Sequence, residues 1–290
     1  MILCTLLSWA VVTLSSSFMR TAPDYESALD NQLLMGALVE TQATERYWVK
    51  VKAEDYTGWV TEYGLKLLTD SEKAEYLKAP KFICTAGLAT VYDGPGKDAG
   101  RICELCMGDL VRKTDVPAQG CRIQVLLPDG RLGWVRKCAL KDFRSLAEKS
   151  ATADDIVKLA CSFVGTPYMW GGNTSKYFDC SGLVKFCFFL NGILLPRNAS
   201  QQCKCGTPVK GGQYMPGDLL FFGSSKPLKV THVAIYIGDG RIVQSSQAVR
   251  IDSLKDYGRE VVAATRIISD NGCGGSRLLN SPYYFNQDGK

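Results

Sequence analysis

The stretch YFDCSGLVKFCFFLNG, residues 177–192, is the part of the sequence that most constrains the fold. Apolar residues after Cys180 recur at helical spacing, and Asn191-Gly192 marks the end of that helix. Cys180 therefore lies at a helix N-terminus, where free backbone N–H groups and the helix dipole favour a thiolate. This position makes Cys180 a candidate nucleophile, and a buried structural thiol is the alternative.

The composition is that of an ordinary globular protein with 290 residues, 46% hydrophobic and 22% charged, and room for two or three domains. The net charge of +5 is spread along the chain without a long basic run, so we expect no nucleic-acid partner. With a single histidine and twelve irregularly spaced cysteines, we expect no metal, no cofactor and mostly free thiols, as in a reducing compartment.

The N-terminal stretch MILCTLLSWAVVTLSSSF is apolar but has no Lys or Arg before it, which argues against a signal peptide. It is also short for a bilayer span, so we expect no integral membrane segment. We therefore expect a cytoplasmic monomer, and a periplasmic or envelope location stays open if the true N-terminus is missing.

A repeat divides the first half of the chain. GWVTEYGLK, residues 58–66, returns as GWVRKCALK, residues 133–141, at an offset of 75 residues. Each copy follows a strand, turn and strand pattern, with Asp-Tyr-Thr-Gly at the first turn and Pro-Asp-Gly at the second. Two units of short strands predict two small β barrels, at residues 1–75 and 76–145.

The pattern changes after a polar linker near residues 143–155. Thr152 or Asp154 is expected to cap a helix that Gly165 ends, and the helix after Cys180 follows. Short apolar runs bounded by Gly, Asp and Ser then predict an antiparallel sheet. Residues 150–270 are therefore predicted to form an α+β domain, and the tail at 271–290 shows no clear pattern.

His232 opens the strand HVAIYI and is the imidazole that a Cys–His enzyme would have to use. A three-residue loop at 238–240 would pair Ile237 with Arg241 and place Gln244 on the face of His232. A two-residue loop would put them on opposite faces. Gln244 is thus a conditional candidate to orient His232, although each residue taken singly has an ordinary structural explanation.

Four stretches occur in the order and spacing of a known family: GTPYMWGGNTSKYFDCSGLVKF, LPRNASQQ, PGDLLFF and THVAIYIGDGRIVQSS. This region resembles the NlpC/P60 cysteine peptidases, and the two upstream repeats resemble bacterial SH3 (SH3b) domains. MRTAPDYESALDNQLLMG looks like the opening of the first SH3b domain, which implies that residues 11–18 form its first strand and leaves too few residues before them for a signal peptide. The resemblance implies a multidomain fold, with two small all-β SH3-like barrels followed by an α+β papain-like domain. It also implies an endopeptidase that hydrolyses the γ-D-Glu–diamino acid bond of murein peptides with a free N-terminal L-Ala.

The resemblance assigns catalytic roles to four residues. Cys180 matches the nucleophile and His232 the base. Gln244 falls where the family has a third polar residue, often His. Tyr168 matches a tyrosine that lines the oxyanion region, and packing against Trp170 is the alternative.

The resemblance also assigns substrate contacts, to Asp179, Ser181, Arg197, Tyr63 and Trp170. Asp179 suits the substrate ammonium and Arg197 the α-carboxylate of D-Glu. The alternatives are helix capping by Asp179 and Ser181 and an exposed loop position for Arg197. Asn198 and Ala199 stand where the family often has Asp and Ser, which puts some contacts in doubt.

In relatives the first SH3b domain closes one end of the cleft. Tyr63, in the first copy of the repeat, is therefore a candidate wall residue. An acidic partner for the substrate amine is expected near Ala28 or at Glu26.

Two other functions stay open at this stage. The first alternative to the endopeptidase is a non-catalytic protein that binds cell-wall peptides. The second is a thiol amidase or acyltransferase on the same fold.

Overall fold

The computed structural model of the protein describes residues 8–269 and 272–287. The chain divides into two compact units, one containing residues 8–146 with 281–287 and the other residues 147–280. The beginning of the N-terminal stretch, at 1–7, and parts of the tail, at 270–271 and 288–290, lie outside the described residues. No described helix has both the length and the apolar character needed to cross a membrane.

The first unit opens with a seven-stranded antiparallel sheet of SH3-like form. Its strands are β1 (Ser8–Val12), β2 (Ser17–Arg20), β3 (Leu29–Leu33), β4 (Leu38–Glu45), β5 (Trp48–Ala53), β6 (Tyr56–Thr61) and β7 (Leu65–Leu68). They are ordered β3-β2-β6-β5-β4-β1-β7 around a core that includes Val39, Val51 and Val60. The helix α1 (Asp70–Lys78), capped by Thr69, leads to the second sheet.

The second sheet repeats the topology of the first. Its strands are β8 (Lys81–Cys84), β9 (Leu88–Tyr92), β10 (Arg101–Cys106), β11 (Leu110–Lys113), β12 (Arg122–Leu126), β13 (Leu132–Arg136) and β14 (Leu140–Asp142). Their order, β10-β9-β13-β12-β11-β8-β14, is the first order with each strand number raised by seven. Each copy of the Gly-Trp-Val repeat spans a strand, a 3-10 turn (Glu62–Gly64 or Lys137–Ala139) and the final strand. The prediction of two SH3-like barrels is therefore confirmed.

Three local predictions in this unit were wrong. Residues 11–18 do not form one strand, because the chain turns between β1 and β2 at Ser16, whose φ is 69°. The first hairpin turns at Glu54, with φ 54°, so that the predicted turn residues Tyr56 and Thr57 already belong to β6. The expected linker begins with the helix α2 (Phe143–Glu148), because Phe143 is buried.

A buried carboxylate joins the two barrels. Asp109 is fully buried and accepts hydrogen bonds from the backbone N–H groups of Met35 at 2.9 Å and Cys106 at 2.8 Å. Next to it, Gly36 approaches the second barrel so closely that a Cβ atom would lie 2.6 Å from the Leu110 carbonyl oxygen. Met35 thereby enters the hydrophobic core of the second barrel.

The last described part of the tail, residues 281–287, belongs to the first unit. The Tyr283 hydroxyl donates to Glu40 at 2.6 Å, and the Tyr284 hydroxyl donates to Glu54 at 2.7 Å. Phe285 stacks on Phe143 with ring centroids 5.1 Å apart. Aromatic side chains therefore anchor this segment to the barrels.

The second unit has an α+β architecture. Its elements are α3 (Ala153–Ser162), β15 (Asn173–Thr174), β16 (Tyr177–Phe178), α4 (Cys180–Phe189), β17 (Ile193–Leu194), α5 (Ala199–Gln202), β18 (Thr207–Pro208), β19 (Leu219–Ser225), β20 (Leu228–Gly238), β21 (Arg241–Ser246), β22 (Ala248–Ser253), β23 (Val261–Arg266), β24 (Ile268–Ser269), β25 (Gly272–Cys273), β26 (Ser276–Arg277) and the 3-10 turn Leu278–Asn280. Thr152 caps α3, as one of the two predicted caps. The main sheet is ordered β18-β23-β19-β20-β21-β22, and α4 packs on β20 and β21.

Replacement of Asp109 tests the connection between the barrels. We expect Asp109→Ala to lower the free energy of unfolding by about 1–3 kcal/mol, because the buried Met35 N–H loses its acceptor. The Cys106 N–H loses one of its two acceptors and keeps Ser15 Oγ at 3.1 Å. Asp98→Ala, at an exposed loop position, is the matched control and should leave stability unchanged. Urea unfolding of both variants makes the comparison, and equal midpoints would contradict a structural role for Asp109.

Candidate active site

Cys180 is the first residue of α4, and Asp179 caps this helix. The Asp179 carboxylate accepts a hydrogen bond from the Gly182 N–H at 2.7 Å, as short polar side chains do at N-caps. A Cβ atom at Gly182 would lie 1.9 Å from the Gly172 carbonyl oxygen, so only glycine fits there. The Asp-Cys-Ser-Gly sequence is thus required by a capped helix start that packs directly on the preceding turn.

The Cys180 thiol is half-buried, and the backbone N–H groups of Val233 and Ser181 hydrogen bond to it. Burial raises the pKa of the thiol to about 11, and the charge of Asp179 adds to this effect. The two N–H groups and Arg197 lower the pKa but do not outweigh burial. At neutral pH the group is therefore a thiol that needs a base to become a nucleophile.

His232 lies on β20 next to Val233, whose N–H reaches the thiol. The imidazole is 5% exposed and packs against Phe222 and Tyr257, with ring centroids 5.9 and 6.1 Å away. Burial lowers the pKa of His232 to about 4, and the positive charge of Arg259 lowers it further. The imidazole is therefore neutral at pH 7 and able to accept a proton.

The connection between β20 and β21 differs from the prediction. The turn contains two residues, Asp239 and Gly240, with φ values of 52° and 67°. Gly238 pairs directly with Arg241, so the predicted pairing of Ile237 with Arg241 was wrong. Ile237 instead occupies a β-bulge, which adds one residue to β20.

The bulge restores the side-chain parity that a two-residue turn would have reversed. Beyond it, Tyr236 pairs with Ile242, and the next pair is Ile235 with Val243. Because side chains alternate along a strand, Gln244 faces the same side of the sheet as His232.

Gln244 is fully buried and connects His232 to a neighbouring strand. Its amide nitrogen, Nε2, donates to Asp252 Oδ2 at 2.8 Å. Its Oε1 and the Nε2 of His232 are both buried without a partner inside hydrogen-bond limits. Gln244 nevertheless raises the pKa of His232 as a hydrogen-bonding side chain, so the two side chains lie beside each other.

Tyr168 lies near the thiol. Its pKa is raised to about 12 by burial and then by the charges of Cys180 and Asp179. The phenol therefore stays protonated and is a hydrogen-bond donor at any working pH. Trp170 exposes 66% of its surface. The role of Tyr168 in the oxyanion region stays a prediction, with packing against Trp170 as its alternative.

Arg197 is 2% exposed, so the alternative of an exposed loop arginine was wrong. Its guanidinium donates to the two carboxylate oxygens of Asp179 at 3.1 and 2.5 Å and to Ser181 Oγ at 3.0 Å. Asp179 also accepts from the Gly171 N–H at 3.0 Å. The structure thus brings Asp179, Ser181 and Arg197 together, as a buried polar cluster beside Cys180.

Tyr63 belongs to the other unit, in the 3-10 turn before β7. It is 72% exposed and stacks on Tyr47, with ring centroids 6.2 Å apart. Glu26 and Ala28 lie in the same barrel, between β2 and β3. The assignment of these residues to a substrate cleft stays a prediction.

Three polar residues near His232 were missed by the sequence analysis. Asp252 binds Gln244, Tyr257 packs on His232, and the Arg259 guanidinium lies 5.9 Å from the Tyr257 ring centroid. All three follow Gln244 in a stretch without a recognisable motif. Asp252 lies on β22, which pairs with β21 and was not predicted from the sequence.

The depressed pKa of His232 is directly measurable, since the chain has one histidine and gives one imidazole signal. NMR titration is expected to give a pKa of about 4, below the ordinary 6.5. Arg259→Ala should raise this pKa. Arg241→Ala, which removes an exposed arginine paired with Asp239, should not change it.

The same shift has a consequence for stability. Between pH 6.5 and about 4, the unfolded chain binds a proton at His232 that the folded chain excludes, so the free energy of unfolding should fall as the pH drops through this window. A wild-type pKa near 6.5 would contradict both expectations.

Removal of Arg197 should be costly. Arg197→Met leaves the Asp179 carboxylate buried without its counter-ion, and we expect a loss of roughly 3–5 kcal/mol in the free energy of unfolding. Lys158→Met breaks an exposed ion pair with Asp154 and should leave the free energy of unfolding nearly unchanged, because solvent screens such a pair. If the two variants lose the same free energy of unfolding in urea, the buried ion pair contributes no more to stability than the exposed one.

Comparisons with known proteins agree with this architecture. Residues 165–266 match the NlpC/P60 family, and residues 19–65 match the bacterial dipeptidyl-peptidase Sh3 domain. A gamma-D-glutamyl-L-lysine dipeptidyl-peptidase of Bacillus cereus (strain ATCC 10987) is 30% identical over 236 residues, which cover 77% of this chain and 68% of the relative. A protein of the same name from Bacillus subtilis (strain 168) is 27% identical over 261 residues, which cover 84% of this chain and 83% of that one.

A crystal structure of an NlpC/P60 family protein from Bacillus cereus ATCC 10987 superposes with a TM-score of 0.78 at 25% identity, over 89% of this chain and 99% of that one. The 236-residue match is longer than either compact unit alone, so it includes barrel as well as α+β residues. With the same domain order and a cysteine at the start of the helix that packs on the sheet, this chain belongs to the NlpC/P60 family of peptidases.

Proposed function

We propose that this protein hydrolyses the bond between γ-D-Glu and the diamino acid in murein peptides with a free N-terminal L-Ala, releasing L-Ala-γ-D-Glu. The observation that carries the proposal is the site formed by Cys180, His232 and Gln244 in a chain whose relatives of matching domain order are gamma-D-glutamyl-L-lysine dipeptidyl-peptidases. The α4 N-terminus supplies the position of the nucleophile, and β20 supplies the base.

In the proposed reaction the Cys180 sulfur attacks the γ-carbonyl carbon of D-Glu while His232 takes the thiol proton. The pKa values of about 11 and about 4 make the resting pair neutral, so proton transfer accompanies attack rather than preceding it. The oxyanion receives hydrogen bonds from the Cys180 N–H and the Tyr168 hydroxyl. His232 then protonates the leaving amine, and the C–N bond breaks to give a thioester.

Water completes the cycle. His232 removes a proton from the water as it attacks the thioester carbonyl, and the sulfur leaves and regains a proton from the imidazole. The balance needs one water per peptide bond and no other reactant.

We propose that Asp179 meets the substrate ammonium and that Arg197 acts mainly by holding Asp179 and Ser181. This differs from direct binding of the D-Glu α-carboxylate by Arg197. Its 2% exposure and its bonds to both Asp179 oxygens favour the indirect role. Trp170, exposed in the loop that leads to Cys180, is available to pack on the peptide.

The proposal is tested by mass spectrometry of digests. The substrates are L-Ala-γ-D-Glu-L-Lys, its diaminopimelate counterpart and an N-acetylated copy of each. We expect release of L-Ala-γ-D-Glu from the two free-amine peptides, none from the acetylated ones, and none by Cys180→Ala. Cys138→Ala, at an exposed thiol, is the matched control and should cleave like the wild type.

The other outcomes separate the alternatives. Cleavage of all four peptides would keep Cys180 as the nucleophile and refute recognition of the amine. Peptide binding without turnover would identify a binding protein, and transfer of the acyl group to a second amine would identify an acyltransferase.

A further inference from the structure

We propose that Asp252 is a positioning residue for this site: it fixes the amide of Gln244, and through it the tautomer of His232, so that Nδ1 is left to accept the Cys180 proton. The inference deepens the proposed function, since it concerns the same site. It also makes a statement about the imidazole that holds whatever the substrate is.

The first step concerns the two ends of the Gln244 amide. A glutamine side chain has a donor end and an acceptor end of nearly the same shape, and its hydrogen-bond partners decide which end points where. An ionised carboxylate only accepts hydrogen bonds. The 2.8 Å contact between Gln244 and Asp252 Oδ2 therefore requires the amide NH₂ there, and Oε1 must point to the other side.

The second step concerns the imidazole. His232 Nε2 and Gln244 Oε1 are both buried without a hydrogen-bond partner among the described residues, and their side chains face the same side of the sheet. In the proposed arrangement Oε1 faces Nε2. With an acceptor facing it, Nε2 is stabilised as the protonated nitrogen, and the neutral ring then has an unprotonated Nδ1. A flipped Gln244 would present a donor and stabilise the opposite tautomer, in which Nδ1 already carries a proton and cannot take one from the thiol.

The third step concerns Asp252 itself. It lies on β22, and its register partner Ile242 is two residues from Gln244, so Asp252 and Gln244 are diagonal neighbours on one sheet face. Arg250 Nε donates to the same Oδ2 atom at 2.9 Å. This ion pair holds the carboxylate in place, and it is made by the residue directly opposite Gln244 in the register.

The imidazole spectrum gives a test that needs no substrate. In protein labelled with ¹⁵N in its one histidine, two-bond proton–nitrogen correlations identify which ring nitrogen carries the proton. We expect the Nε2–H tautomer in the wild type. Asp252→Asn should produce a large fraction of Nδ1–H, because an amide at 252 tolerates either orientation of Gln244.

A double variant separates this role from mere support of the fold. Glu at position 244 presents acceptors at both ends, so no orientation remains to be fixed. We therefore expect Gln244→Glu combined with Asp252→Asn to restore the Nε2–H tautomer that Asp252→Asn alone loses. Asp256→Asn removes an exposed carboxylate four residues away and is the matched control, with the wild-type spectrum expected.

Kinetics on the free-amine tripeptide add a second readout. In serine proteases the amide replacement that produces the wrong histidine tautomer costs about 10⁴ in kcat. Asp252 acts on the imidazole through Gln244, so we expect a smaller effect: Asp252→Asn should lower kcat at least tenfold with little change in KM. The double variant should recover most of this loss.

The outcomes decide the matter in either direction. An unchanged Nε2–H tautomer in Asp252→Asn would overturn the proposal, as would loss of the tautomer without recovery in a double variant that unfolds at the wild-type temperature. If the wild type cleaves none of the peptides, the proposed function fails, but the spectrum still decides the role of Asp252.

Discussion

The buried ion pair between Asp179 and Arg197 is the interaction on which the rest of the site depends. One carboxylate caps α4 through the Gly182 N–H, fixes the preceding turn through the Gly171 N–H, and carries a charge that only a buried guanidinium offsets. An uncompensated charge at this depth would be expelled or neutralised, and the helix start would lose its cap. Cys180 is the first residue of α4, so its position is fixed by the N-cap residue Asp179 and by the ion pair between Asp179 and Arg197.

Burial makes the same site inert at rest. It raises the pKa of Cys180 to about 11 and lowers that of His232 to about 4, so that neither a thiolate nor an imidazolium is stable alone at neutral pH. The donors aimed at the sulfur, from Val233 and Ser181, become most valuable once negative charge develops there. In the proposed reaction a neutral Gln244 fits this arrangement, because it would orient His232 without adding the negative charge that raises the basicity of an imidazole.

The sequence predicts those features that depend on local pattern or on repetition. The Gly-Trp-Val repeat foretold two barrels because each copy supplies the same strand, turn and strand, and the strand orders agree. The α4 start was predictable because capping is local. Gln244 was predicted on the correct face of the sheet from a three-residue loop that the structure does not contain. The actual two-residue turn is compensated by the β-bulge at Ile237, and the alternation of apolar and polar residues does not reveal either feature. The burial of Arg197 and the partnership of Asp252 with Gln244 depend on contacts between separate elements, for which spacing along the chain carries no signal.

A chain with many free thiols raises the question of what distinguishes a nucleophile, and the pKa does not answer it. Burial raises the pKa of Cys84, in the second barrel, to about 12, close to the value of about 11 for Cys180. The difference lies in what surrounds each sulfur. Cys84 lies in a hydrophobic core, where its thiol donates to the Ala86 carbonyl oxygen at 3.5 Å. Burial and the charge of Asp109 raise its pKa, and a backbone hydrogen bond from Ala86 lowers it. Cys180 has N–H donors, a neutral imidazole on the adjacent strand and a protonated phenol nearby, so charge that develops on its sulfur or on a bound carbonyl is met by fixed donors. In the proposed reaction, the reactivity of Cys180 therefore comes from groups that stabilise charge in the transition state. The pKa of the resting thiol reflects mainly the unfavourable burial of a thiolate, which these groups offset.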